Sequence, residues 1–94
     1  MDRLFVYGIF LGEGARKKYG MSNPVYSTVK NYITVGHGIV TAVKTNKPGV
    51  ELTGLVVDVD PEYWPKIDEL EQGYDRIIVK TCFDEEVYMY ANPV

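Results

Sequence analysis

Apolar positions along this chain fall mostly in short runs and alternations, and one stretch carries the wider spacing of a helix. Leu4-Phe5-Val6-Tyr7 is an apolar and aromatic run that stops at Gly8, which predicts a buried first strand. Gly12, Gly14 and Gly20 punctuate the next stretch, so residues 8–25 are expected to be mostly loop, with one helical turn near residues 15–19, ending at Asn23-Pro24. From Thr28 to Thr45 β-branched residues recur at short intervals. They predict two strands, near residues 28–35 and 39–45, with a bend or bulge at Gly36-His37-Gly38. After the turn signal Asn46-Lys47-Pro48-Gly49, residues 51–59 alternate with apolar side chains on both faces. Leu55, Val57 and Val59 fall on one side, and Leu52, Gly54 and Val56 on the other, the pattern of an interior strand.

The helix comes next. Asp60 is a capping residue, and Pro61 suits a first helical position, where no N–H is needed. Pro65 crowds the carbonyl four residues back, so the first turn is expected to be irregular or the regular helix to begin later. Trp64, Ile67 and Glu71 share one stripe, Tyr63, Ile67 and Leu70 the adjoining one, and Gly73 supplies a stop. Two further strands, residues 76–83 and 87–90, flank a turn at Asp84-Glu85-Glu86. Strands joined mostly by hairpins around one main helix predict an α+β fold, a small, mostly antiparallel mixed sheet of about six strands curled like a barrel.

Composition narrows the classes. The chain has 94 residues, enough for a single domain spanning residues 1–94, and its 46% hydrophobic share argues against disorder. A formal net charge of −3 argues against a nucleic-acid partner, and the basic run Arg16-Lys17-Lys18 is short enough to be a solvated loop or helix end. With one cysteine, Cys82, no internal disulfide can form, which fits a reducing cytoplasm. No Cys/His spacing suggests a metal, and no apolar run suggests a leader or a membrane segment. The lone His37, flanked by two glycines, reads as a turn residue rather than a catalytic one. Eight tyrosines suit either strands or the walls of a half-wet pocket.

Two features point to chemistry. Glu71 sits at the edge of the apolar stripe in the last helical turn. Partial burial, the negative end of the helix dipole and Asp68 one turn back would all raise its pKa, which suits a general acid–base. A frayed helix end that leaves Glu71 in water is the alternative. Tyr7-Gly8 ends the first strand, where the following backbone N–H groups could hold a carboxylate or oxyanion, or simply form an ordinary glycine loop.

Taken in order, these segments resemble the γ-glutamylcyclotransferase superfamily with its small AIG2-like members. The resemblance rests on the strand and loop Leu4 to Leu11, the Gly54 strand, and Ile67-Asp68-Glu69-Leu70-Glu71-Gln72-Gly73, which is similar to an LDxxEG motif. Tyr74-Asp75-Arg76 and the aromatic strand Val87-Tyr88-Met89-Tyr90 complete it. It implies a compact barrel-like fold, no metal or organic cofactor, and a small γ-glutamyl substrate as partner. It also implies Glu71 as the catalytic residue and Tyr7, Gly8, Ile9, Phe10 and Leu11 as the glutamyl-binding loop, and Tyr90 is expected beside them. The implied reaction is cleavage of a γ-glutamyl amide by attack of the substrate's own amino group, releasing 5-oxoproline and an amine. γ-Glutamyl dipeptides of glutathione metabolism, γ-glutamyl amines and ε-(γ-glutamyl)lysine are all compatible. Ile9 stands where that family usually has Thr or Ser and Phe10 where it usually has Leu, which also allows a module that binds without turnover. An interaction protein with Glu71 facing solvent is a third reading.

Overall fold

The computed structural model describes residues 2–36 and 41–92. Five of its strands form one sheet in the order β2-β5-β1-β7-β6: β1 (Arg3–Val6), β2 (Met21–Lys30), β5 (Glu51–Val59), β6 (Asp75–Lys80) and β7 (Glu86–Ala91). The hairpin of β3 (Tyr32–Val35) and β4 (Thr41–Lys44) is a separate two-stranded unit. All pairings are antiparallel except β1 with β7, which run parallel at Leu4↔Tyr88. The sheet is curled but not closed into a barrel. Its edges β2 and β6 meet at the bridge Val29↔Thr81, beside which Cys82 N–H donates to the Thr28 carbonyl at 3.0 Å.

β5 matches the expected residues 51–59, and both its faces are covered. Leu52 and Val56 pack with Phe5, Val29, Ala42, Val87 and Met89 on the face capped by the β3–β4 hairpin. Val57 and Val59 pack with Leu4, Val6, Phe10, Ile67 and Tyr90 on the helical face. Period-two alternation in β1, β5 and β7 therefore feeds two apolar layers with one sheet. Gly54 sets the distance between β1 and β5, because a Cβ there would lie 2.2 Å from the Val6 carbonyl oxygen and 2.8 Å from the Phe5 ring. Only a residue without a side chain fits such an approach.

The run at residues 28–35 is not one strand. Asn31 takes φ 69 and turns the chain, so its first part closes β2 and its second part is β3. The turn leaves no loose backbone at Asn31, whose N–H donates to Val50 and whose carbonyl accepts from Thr45. β2 also begins earlier than the glycines suggest. Its register with β5 slips between Ser22 and Val25, and this bulge takes up Asn23 and Pro24. A proline, which has no N–H to give, is tolerated at a bulge on an edge strand. The strand expected near residues 39–45 is seen from Thr41; the expected bend at His37 and residues 39 and 40 lie outside the described residues. The loop after β1 is more ordered than expected, with a 3₁₀ turn at Gly8–Leu11 and α1 at Glu13–Lys18. Arg16, Lys17 and Lys18 occupy the last turn of α1, where positive charge suits the helix dipole.

The predicted irregular helix start is a 3₁₀ turn, Pro61–Tyr63, with α2 (Trp64–Leu70) beginning behind it. Asp60 caps the turn by accepting from Glu62 N–H at 3.2 Å, and Pro65 falls in the first turn of α2, where its ring blocks no helical hydrogen bond. Ile67 is fully buried and anchors α2 to the sheet, a burial worth about 1.5–3 kcal/mol. No helix among the described residues is long and apolar enough to cross a membrane.

Candidate active site

A cavity of about 760 Å³ opens at the C-terminal end of β1, between the 3₁₀ turn that follows it and the end of α2. Tyr7, Gly8, Ile9 and Phe10 line one side; Leu70, Glu71 and Gln72 line another; Tyr74 and Tyr90 complete the wall. The floor is the apolar β1 strand, Leu4, Phe5 and Val6. The chain leaves β1 through Gly8 at φ 75, a left-handed conformation in which a side chain would be strained. Arg16 of α1 fixes the turn from behind by donating to the carbonyls of Phe10 at 3.0 Å and Leu11 at 2.6 Å. Phe10 is buried, and its ring meets Tyr19 edge-on at 5.4 Å. Ile9 is 70% exposed and so stands at the rim. Leu11 does not line the cavity; it faces solvent beside it.

Glu71 is the C-cap residue of α2, and its N–H closes the last helical turn on the Ile67 carbonyl at 2.9 Å. It is half-buried rather than frayed into water. Loss of hydration on burial pushes its carboxyl above the ordinary carboxylate range. Desolvation is the cause at work, rather than the helix dipole or Asp68 that the spacing also suggested. Asp68 accepts from the Tyr90 hydroxyl at 2.5 Å, and its second oxygen lies 3.7 Å from Arg76 Nη1.

Three tyrosines surround Glu71 on the cavity wall, each with its hydroxyl engaged. Tyr7 donates to the Tyr90 carbonyl and accepts from Ala42 N–H at 3.0 Å, so one phenol joins β1, β7 and β4. Its pKa is pushed up to about 12, first by burial and further by the Glu71 charge, with the Ala42 hydrogen bond opposing. Tyr74 shares a hydrogen bond with Thr41 Oγ1 at 3.0 Å, which ties the wall to the β3–β4 hairpin. Tyr90 is buried, and its phenol is pushed well up, chiefly by burial and then by Asp68. The structure thus brings Glu71, Tyr7, Gly8, Ile9, Phe10 and Tyr90 onto one cavity. Sequence spacing placed neither Tyr74 nor Gln72 at the cavity, and read Leu70 only as part of the apolar helix stripe. Tyr74 could have been suspected from its place just after Gly73, but its partner Thr41 is set only by the packing of a distant hairpin.

A side chain that takes and returns a proton, beside a backbone turn and in a mostly apolar cavity, can serve acyl chemistry without water. Against known proteins, a family model described as "Gamma-glutamyl cyclotransferase, AIG2-like" matches residues 4–94. No curated protein matches in sequence. Among solved structures, the Pyrococcus horikoshii protein PH0828 is similar, with a TM-score of 0.80 at 22% identity over 100% of this chain and 80% of its own. The Arabidopsis thaliana protein At5g39720.1 is similar at a TM-score of 0.80 and 20% identity, over 97% of this chain and 68% of its own. A structure described as a γ-glutamyl cyclotransferase is similar at a TM-score of 0.68 and 17% identity, over 96% of this chain and 65% of its own.

Proposed function

The chain belongs to the γ-glutamyl cyclotransferase, AIG2-like family, and from that premise we propose that it cleaves γ-glutamyl amides by cyclisation. The observation that carries the reading is Glu71. It is a half-buried carboxyl with a raised pKa, on the same cavity as the turn at Gly8–Leu11. The glutamyl half lies in the cavity with its α-carboxylate toward the backbone N–H groups of that turn. The α-ammonium first releases one proton to solvent, and the free amine then folds back on its own γ-carbonyl carbon. Glu71 takes a proton from that nitrogen as the new C–N bond forms, and the carbonyl oxygen takes the negative charge. Glu71 then returns the proton to the departing nitrogen as the old C–N bond breaks. The products are 5-oxoproline and a free amine, and no water is consumed. Because attacking and leaving atoms belong to one molecule, the protein's contribution is to hold the folded-back conformer and shuttle one proton.

The test is 5-oxoproline release across a panel of γ-glutamyl amides, with Glu71→Gln as control. Release by the wild type and not by the variant supports the reading. Ile9, where the related loop carries a hydroxyl, favours a second reading, a module that holds a γ-glutamyl ligand without turnover. Ligand-induced stabilisation with no 5-oxoproline from any amide would select it.

A further inference from the structure

Asp68 does not itself line the cavity, yet it is wired to it. Tyr90 Oη lies 2.5 Å from Asp68 Oδ1, and Tyr90 is itself a wall of the cavity. A phenol has one hydrogen and a carboxylate accepts, so the Tyr90 hydrogen is committed to Asp68. What Tyr90 Oη has left to offer is a lone pair. The carboxylate is braced in turn. The Arg76 guanidinium stands 3.7 Å from Asp68 Oδ2 and lies over the Trp64 ring at 4.5 Å and the Tyr88 ring at 5.0 Å. Trp64 and Tyr88 meet edge-on at 5.6 Å, which keeps that platform stiff. Three elements therefore fix a single hydroxyl: α2 through Asp68 and Trp64, β6 through Arg76, and β7 through Tyr88 and Tyr90 itself.

We propose that Asp68, braced by Arg76, is a positioning residue that turns Tyr90 Oη into a hydrogen-bond acceptor for the α-amino group of the γ-glutamyl substrate. The inference rests on the proposed cyclisation. Two nitrogens of such a substrate carry hydrogens, the α-ammonium and the amide. The field at Tyr90 Oη favours the cation, because the negative charges of Asp68 and Glu71 act on this phenol against the single positive charge of Arg76. Held there, the amino group sits beside Glu71, which must take its proton. Tyr7 is less suited to the same work, since its hydroxyl already donates to the Tyr90 carbonyl and accepts from Ala42.

The experiment compares two ligands in four proteins. The proteins are the wild type, Tyr90→Phe, Asp68→Asn and the double variant, each checked for folding by its melting curve. The ligands are a γ-glutamyl amide substrate and the matching glutaryl amide, which lacks the α-amino group and acts as an inhibitor. Tyr90→Phe should raise the substrate KM by about tenfold, the worth of one good hydrogen bond, and Asp68→Asn by about threefold or more. The double variant should be no worse than Tyr90→Phe alone, because Asp68 acts only through Tyr90. The inhibition constant of the glutaryl amide should stay within about twofold throughout, since that ligand has no ammonium to offer. Should Asp68→Asn fail to fold, Arg76→Lys gives a second route. It keeps the charge but loses the planar stack, and it should weaken the substrate and spare the inhibitor in the same way. Equal losses for both ligands, or additive losses in the double variant, would overturn the positioning role while leaving cyclisation standing. A wild type that releases no 5-oxoproline from any amide would overturn both.

Discussion

Glu71 carries a stability cost that can be measured apart from any turnover. Its folded pKa is raised, so the fold prefers the neutral acid. The stability this preference confers is complete below the unfolded value of about 4.3 and is lost as pH rises through the raised folded value. At neutral pH the ionised side chain is therefore a burden, relieved only in part by the water that reaches a half-buried group. Glu71→Gln keeps the shape and removes the charge. We expect it to abolish turnover while melting at or slightly above the wild-type temperature at pH 7, and the gap between the two should narrow as pH falls toward 4. An NMR titration placing Glu71 at the ordinary carboxylate value, or a Gln variant that still turns over, would remove it from the general-base role. Ile9 is the other residue whose substitution discriminates. Its side chain stands at the rim, 70% exposed, so a threonine there costs no core packing. Ile9→Thr regains at most one hydrogen bond to substrate, worth about 0.5–1.5 kcal/mol, so turnover should rise by about tenfold or less. A fall in turnover with unchanged melting would show that Ile9 is fitted to its own amine half.

At the scale of elements, β5 was legible because both its faces announce themselves in alternation. The structure adds why its middle residue is glycine. A Cβ at residue 54 would stand 2.2 Å from a backbone oxygen of β1, which cannot move without parting the two strands at the floor of the cavity. Gly54→Ala should therefore destabilise by about 3 kcal/mol or more, at the upper end of overpacking costs, and a urea midpoint equal to wild type would contradict this. α2 was legible for the same kind of reason. Asp60, Pro61 and Pro65 dictate a capped, tight first turn and a late helix start, and both are observed. The failures share a cause as well. β-Branched density at residues 28–35 says strand but not where a strand must break, and Asn31 breaks it by adopting φ 69, a choice stabilised by Val50 and Thr45 from other segments. The glycines before Met21 say loop, yet β5 recruits residues 21–30 as an edge through a bulge. In the cavity, spacing brought Glu71 to attention, the strand stopping at Tyr7-Gly8 marked the loop, and the resemblance added Ile9, Phe10 and Tyr90. The bond from Tyr74 to Thr41 and the brace of Arg76 on Asp68 join residues far apart in the chain, and no local pattern encodes them.

Across the whole molecule, the open sheet depends on a few polar ties, and Tyr7 is the chief one beside the cavity. Its hydroxyl links the end of β7, through the Tyr90 carbonyl, to the hairpin, through Ala42 N–H. Ala42 is fully buried and its carbonyl accepts from Asn92 N–H at 3.1 Å, so the hairpin is held on both sides of one residue. Tyr7→Phe keeps the ring and its packing but strands the buried Ala42 donor, a loss of about 1–3 kcal/mol. The same phenol makes the fold sensitive to alkali. A group that prefers its neutral form in the fold stabilises fully below its unfolded pKa, near 10 for tyrosine, and loses that contribution as pH rises through the folded value. For Tyr7 the folded value is about 12, so its share of stability should disappear between about pH 10 and pH 12. Tyr90, also raised, adds to the same alkaline loss. Wild type should therefore lose stability steeply above pH 10, and Tyr7→Phe, less stable at neutral pH, should show a shallower decline because one of the two titrations is gone. The measurement is the urea midpoint from pH 7 to pH 12 for both proteins, with hydrogen exchange at Ala42 reporting the hairpin directly. Parallel stability curves, or an Ala42 amide equally protected in the variant, would mean that the Tyr7 hydroxyl is not what holds the hairpin.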